Sequence, residues 1–511
     1  MHFRTVLRNI FSTWAGYAVT LLVGFLLAPF VVHHLGTSNY GTWTLLSSLT
    51  GYFGLLDLGL RQSVGRFVAR HMALSDDAGV NRTITNALAL LGAAGAAAFL
   101  GAIILGSSVG IFHIEERFQS DARLALLIAG ATISIALPMS VFNAVLFSLE
   151  RFDVITGITI LGALTRTTLI LSALSRGHGM VALAVVTLLS GSLEYTLAAL
   201  CAKKMYPPLR PRLAFIERAC CKQLFTFGIY RFIWIVANQL IFYTDSVVIG
   251  IFLNTAAITY YAIAGSLINY GRNIISLTAD TFFPTASHLD AHSDAAGLRN
   301  LLVDGTRITL TIGLPLCMGF MFLGKQFIVL WMGPAYAVSS LYLIVLAIPQ
   351  FTSMPQYISA MILVGMARHK KLAFVVMAEG IANLLLSIIL IRRVGLIGVA
   401  WGTAIPHLLS TGVVIPILTL RALDMRWRDY FLRAFLRPLV AAAPSAALCF
   451  TFSRLVLRPA WAAFGLEVAA IACVSGIASY YLCLSAERRA SIWQGAKIKR
   501  VRELVSVDPG T

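Results

Sequence analysis

Asp57 and Arg61 stand one helical turn apart inside an apolar run, GYFGLLDLGLRQSVGRF (51–67). Insertion scales charge about 2.5–3.5 kcal/mol for each ionised side chain at the centre of a membrane helix. Arg166, Arg231 and Arg272 also fall inside apolar stretches. Counted from the basic end of its stretch, Arg272 is about nine residues in, roughly 14 Å deep at 1.5 Å per residue. A charge at that depth lines a water-filled cavity or pairs with another group. Arg166 reads as a cavity residue or as an inter-helix strut, and Arg61 and Arg66 read equally well as side chains snorkelling to the surface. A second group carries oxygens: Asp245, Glu379 with Asn383 one turn on, and Thr403 after GVAWG. Carboxylate, amide and hydroxyl together suit a hard cation, or a carboxyl that takes up a proton. The plainer reading makes Asn383 and Thr403 hydrogen bonds between helices. Glu194 has no partner that the sequence identifies.

Spacing groups these residues into faces. Thr50, Gly54, Asp57 and Arg61 follow i, i+4, i+7, i+11. So do Asn269, Arg272 with Asn273, Ser276 and Asp280, Asp280 reading as the end of its helix near water. Arg231, Asn238 and Asp245 repeat every seven residues, and Asn9, Thr13 and Thr20 mark a further polar face. No nucleophile elbow, phosphate loop, zinc-helix motif or dinucleotide fingerprint occurs in context, so no catalytic residue is expected. The seven cysteines are scattered without a C-x-x-C pair, which predicts neither disulfides nor a metal site.

These residues need a membrane scaffold. The 511 residues are 58% hydrophobic and 12% charged, with mean hydropathy +0.81, whereas soluble domains carry about 25% charge. The expected fold class is therefore an all-α integral membrane protein. Runs of about twenty apolar residues predict about fourteen spans: 12–33, 41–60, 84–110, 123–147, 155–175, 179–200, 223–251, 256–281, 305–330, 338–363, 371–391, 396–420, 436–456 and 461–484. HHLGTSNYG (33–41) reads as the turn between the first two. The first run is too long for a signal-peptide core and lacks a small-residue exit, so it reads as an uncleaved span. The net charge of +18 sits in short loops, which points to topology control rather than to nucleic acid. Alternate loops differ more than threefold in Lys and Arg, which places both termini in the cytoplasm. The longest outer loop is expected at 111–122.

The chain also repeats. LPMSVFNAVLFSLERF (137–152) aligns with MPQYISAMILVGMARH (354–369), GMVALA (179–184) with GLIGVA (395–400), and SLTGYF (48–53) with SLINYG (266–271). A shared offset of about 217 residues signals an internal duplication, as in transporters with parallel repeats. The expected organisation is a six-helix lobe at 1–210, a second at 211–425, two added helices at 426–485 and a basic cytoplasmic tail at 486–511. Equivalent helices would turn their polar faces to one central axis.

At this point the sequence resembles a known family. LGTSNYGTWTLLSSLTGYFGLLDLGLRQSVGRFVAR and FYTDSVVIGIFLNTAAITYYAIAGSLI are similar to segments opening the two halves of polysaccharide flippases. These belong to the multidrug/oligosaccharidyl-lipid/polysaccharide exporter superfamily. The resemblance covers the first twelve spans. It implies two lobes over a central cavity and alternating access. The implied cargo is an undecaprenyl-diphosphate-linked oligosaccharide, moved across a bacterial inner membrane for O-antigen or exopolysaccharide assembly. The diphosphate would meet Arg272, Arg231, Arg61 and Arg166, whose planar forks grip phosphate oxygens and stay charged. Asp245, Glu379, Asn383, Thr403 and Asp57 would serve coupling to Na⁺ or H⁺, with no other cofactor. Implied partners are the lipid-linked oligosaccharide, membrane lipids, and a polysaccharide polymerase or glycosyltransferases. A cation-coupled multidrug exporter would want an acidic cavity and ranks second. A membrane polymerase or ligase would need a large outer catalytic loop and ranks third.

Overall fold

The computed structural model describes residues 3–455 and 460–483; the expected tail at 486–511 lies outside them. The described residues hold helices and no strand. In chain order these are α1 (Phe3–Leu35), α2 (Thr37–Phe53), α3 (Leu60–Ala73), α4 (Asp77–Ser107), α5 (Glu116–Ser148), α6 (Phe152–Ser175) and α7 (Met180–Met205). Then come α8 (Arg218–Phe252), α9 (Thr255–Asp280), α10 (Phe283–Ala291), α11 (Ala295–Phe322), α12 (Gly324–Met332), α13 (Ser339–Ala347) and α14 (Gln350–Gly365). The last are α15 (His369–Val394), α16 (Leu396–Leu409), α17 (Ile415–Ala422), α18 (Trp427–Ala434), α19 (Leu436–Arg454) and α20 (Trp461–Leu482).

Ten helices among the described residues are long and apolar enough to cross a membrane, and an eleventh if α8 counts as one span despite a 42° bend between Ile241 and Tyr243. The chain is thus a multi-pass membrane protein, with fewer self-evident spans than the fourteen expected. The shortfall has physical causes. Helix α2 has only 17 residues. Helix α9 carries Asn269, Arg272, Asn273 and Asp280, which dilute its apolar character. The expected span 338–363 is divided between α13 and α14 around Ile348 and Pro349. Two further expectations are corrected. The span 41–60 is not continuous: α2 stops at Phe53, Gly54–Asp57 make one tight 3₁₀ turn, and α3 begins at Leu60. Leu58 (φ 50°) and Gly59 (φ 74°) take left-handed conformations there, so Thr50 and Arg61 do not share one helical face. The supposed outer loop 111–122 is mostly helix, because α5 starts at Glu116.

Two compact units contain these helices. The first comprises Met1–Ile263 and Val376–Thr403. In it α4 packs along α5, α5 along α7, and α6 against α1 and α7. Its core draws Leu60, Val64 and Val68 from α3, Ile84 and Leu91 from α4, and Leu137 and Val141 from α5. Packing between spans depends on close approach, since lipid tails are as apolar as leucine. Gly41 of α2 shows this: a Cβ there would meet the Thr255 carbonyl oxygen at 1.7 Å. The second unit comprises Ala264–Val375 and Ala404–Thr511. There α11 packs on α14 and α19, and α19 on α20. Leu298 and Leu302 meet Ile358, Ile362 and Tyr430 in its core.

Helix ends recur along the chain at the spacing of the sequence matches. Left-handed residues close helices at Ser75 and Ser293, at Glu150 and Ala367, and at Gly177 and Gly395, each pair 217 or 218 positions apart. The same interlocked hydrogen bonds close the first two pairs. Asp76 N–H reaches the His71 carbonyl and Asp294 N–H the Leu289 carbonyl, while Arg151 N–H reaches Leu146 and Arg368 N–H reaches Leu363. Asp76 then caps α4 by accepting from Gly79 N–H, and Asp294 caps α11 by accepting from Gly297 N–H, both at 2.8 Å. The Asp76 carboxyl is held below its usual range chiefly by that backbone hydrogen bond.

Gly41→Ala should destabilise the protein by about 1–3 kcal/mol through overpacking. Gly92→Ala, where a Cβ meets nothing within 4 Å, should not. Thermal denaturation of both variants in one detergent checks this; equal melting temperatures would refute the close contact.

Candidate functional site

The polar groups of the first unit form two sites. The first begins at the corner between α2 and α3. The left-handed pair Leu58–Gly59 turns the chain so that Asp57 precedes the N-terminus of α3, the positive end of its dipole. Arg61 Nε lies 3.4 Å from Asp57 Oδ1. The Asp57 side chain is 13% exposed and that of Arg61 47%, so the acid is enclosed and the base faces outward. The two charges, four positions apart, thus pair across a helix corner rather than within a span.

Arg166 of α6 donates to Glu194 Oε1 at 3.0 Å and to Ser190 Oγ at 3.2 Å, both on α7. Gly162 makes this possible, because a Cβ there would lie 2.1 Å from the Glu194 carboxylate. Glu194 thus has the partner that sequence reading missed. The two residues are 28 positions apart on neighbouring helices, a separation that carries no spacing signal. Tyr195 lies within electrostatic reach of Arg61, Arg166 and Glu194. The arrangement gathers two of the four expected arginines about one tyrosine. Each of the two already holds a carboxylate, which an incoming anion would have to displace.

The second site is built on α8, α9 and α16. Asp245 of α8 is buried at 6% exposure. Its Oδ2 accepts from Tyr261 OH at 2.5 Å and from Thr403 Oγ1 at 2.8 Å. Its Oδ1 is buried with no hydrogen-bond partner among the described residues. Buried carboxylate oxygens are costly to leave unmatched. Thr403 is seated by its neighbour Gly402, which packs against Ser387 of α15. Ser387 in turn donates to Asn383 Oδ1 at 3.3 Å. Glu379, buried one turn earlier on α15, precedes Gly380, which packs against Leu240 of α8. Structure therefore links Asp245 directly to Thr403, and α15 to the same helices. Tyr261 is the member that sequence reading overlooked; as one of two adjacent tyrosines in the apolar run ITYYAIAG (258–265) it gave no sign of a buried hydroxyl. No group of three or more His, Cys, Asp or Glu suited to a metal occurs among the described residues.

Arg272 belongs to the second unit. Its Nε donates to Tyr357 OH of α14 at 3.0 Å, with the side chain half-buried. Asp280 closes α9 and is exposed. Arg231 lies on α8, but its side chain is outside the described residues, as are those of Asn9 and Thr13.

Residues 6–290 match the model of a family described as polysaccharide biosynthesis protein. Over 152 residues the chain is 28% identical to a protein of Shigella flexneri assigned as an O-antigen transporter. That match spans 30% of this chain and only 36% of the relative's own length. Among solved structures, the lipid II flippase MurJ in an inward closed conformation aligns with TM-score 0.71 and 15% identity, covering 93% of this chain and 98% of that one. An inward-facing multidrug resistance MATE family transporter of the MOP superfamily aligns with TM-score 0.70 and 15% identity, covering 80% and 94%. At such identities these likenesses concern the fold.

Glu194→Gln should strand Arg166 and lower stability by about 1 kcal/mol, the scale of inter-helix polar contacts in membranes. Adding Arg166→Gln should cost less than the sum of the two single changes. Melting temperatures of the four-member cycle test this; strict additivity would show that the pair does not couple.

Proposed function

We propose a transport function on one premise: this chain belongs to the polysaccharide biosynthesis protein family. On our reading it is a flippase. It carries an undecaprenyl-diphosphate-linked oligosaccharide from the inner to the outer leaflet of a bacterial inner membrane, supplying O-antigen or a related surface polysaccharide. Both termini would face the cytoplasm, and the halves 1–210 and 211–425 would alternate access to the cargo. The family match carries this reading. The similarity to an O-antigen transporter of Shigella flexneri and the fold shared with a lipid II flippase support it.

The chemistry assigned to each site follows from its charges. Arg272 is the foremost diphosphate ligand on this reading. Its Nε donates to Tyr357 OH, which orients the guanidinium. Arg231 is the second candidate. Arg61 and Arg166 act as exchangeable ligands, each leaving its own carboxylate when phosphate arrives. Asp245 is the coupling residue: two hydroxyls hold one oxygen, and the other takes Na⁺ or H⁺. Asn383 and Glu379 stand on the neighbouring helix as further oxygen donors.

Complementation of a strain lacking the gene tests this. Asp245→Asn and Arg272→Ala should each abolish surface polysaccharide while the protein still inserts. Arg272→Lys should restore part of it, since a point charge replaces a two-pronged fork. Normal polysaccharide in the deletion strain itself would overturn the flippase reading. Normal polysaccharide with Arg272→Ala at native expression would remove only that residue from the mechanism.

A further inference from the structure

We propose that the second unit binds the headgroup of an anionic membrane phospholipid through Arg307, Arg433 and Arg437. These residues lie where α18 crosses α11 and runs into α19. Arg307 Nε donates to the Arg433 carbonyl at 2.7 Å, and its guanidinium lies within electrostatic reach of both Arg433 and Arg437. The carboxylate acting on Arg307 is Asp304, 3.4 Å away. Arg433 reaches Asn300 Oδ1 at 3.1 Å, a neutral partner. Arg307, Arg433 and Arg437 thus stand close together, with Asp304 beside Arg307 among the described residues, and like charges held together favour an anion between them.

The placement of α18 says which anion. Its inner face is clamped by Tyr430, whose hydroxyl meets Thr306 Oγ1 at 2.9 Å, and by buried Ala434. That clamp fixes the outer face, where Trp427, Phe431 and Leu432 are exposed. Leu436 and Leu439 continue the exposed apolar strip along α19, which is itself long and apolar enough to span. Arg437 is the second residue of that span, so the arginines stand at the depth of lipid headgroups. Tryptophan and phenylalanine beside them suit the same level. A free phosphate would satisfy the arginines and leave this apolar strip bare. A phospholipid covers both, its phosphate gripped by the planar forks and its chains lying on the strip.

Full-length protein in phosphatidylcholine nanodiscs, titrated with phosphatidylglycerol and read by native mass spectrometry, provides the test. Wild type should retain phosphatidylglycerol in preference to phosphatidylcholine. Arg437→Gln removes a side chain at the membrane edge and should weaken binding roughly fivefold, the effect of one basic residue near an anionic surface. Arg433→Gln combined with it should weaken binding further. Arg428→Gln, an exposed charge on the same helix outside the cluster, should change nothing. Unchanged retention in Arg437→Gln would overturn the proposal, as would displacement of the lipid by equimolar inorganic phosphate, or an equal loss with Arg428→Gln.

Discussion

Hydrocarbon offers no water to an ionised side chain, and each charge inside this bundle must be answered by another side chain. The answers differ in kind. Asp57 faces Arg61, and Arg166 faces Glu194 and Ser190, so charge is cancelled by opposite charge. Asp245 is held by Tyr261 and Thr403, and Arg272 by Tyr357. The Tyr261 and Thr403 hydroxyls hold Asp245 Oδ2 without adding a charge of their own. Both kinds satisfy a polar group that lipid cannot.

Satisfying these groups requires helices to approach closely, and glycine permits it. Gly162 gives the Glu194 carboxylate its space, and Gly402 seats α16 on Ser387 beside Thr403. Gly305 and Gly313 do the same between α11 and α14, against Ile358 and Met354. Glycine thus serves both the polar contacts and the apolar packing: at Gly162 and Gly402 the missing Cβ leaves room beside a polar contact, and at Gly305 and Gly313 it lets apolar side chains approach.

Much of this was legible in the sequence because hydrophobicity and spacing are local. The apolar runs announced a helical membrane protein, and the shared offset announced the repeated helix ends. The one-turn spacing of Asp57 and Arg61 was visible in the sequence, and the two do pair. The break at Leu58–Gly59 was not legible, since GLLDLGL is as apolar as a helix and left-handed backbone has no hydropathy signature. Glu194 lacked a visible partner because Arg166 sits on another helix. Asp245 was found as an intramembrane acid and Thr403 as its companion. Tyr261 was passed over because a tyrosine ring reads as apolar until its hydroxyl has a buried destination.

The recurrent helix ends carry a consequence for biosynthesis. Each corner at Ser75, Glu150, Ser293 and Ala367 is closed by hydrogen bonds within about one helical turn of backbone. Such a corner is complete as soon as its own segment has emerged from the ribosome, with no need of a distant helix. Consecutive spans can thus be laid into the bilayer as finished hairpins, in order of synthesis. The long-range joints, Arg166 to Glu194 and Asp245 to Thr403, close afterwards between elements already upright. The 158 residues separating Asp245 from Thr403 make that joint a late step of assembly, so the carboxylate must wait in a half-built bundle until its threonine arrives.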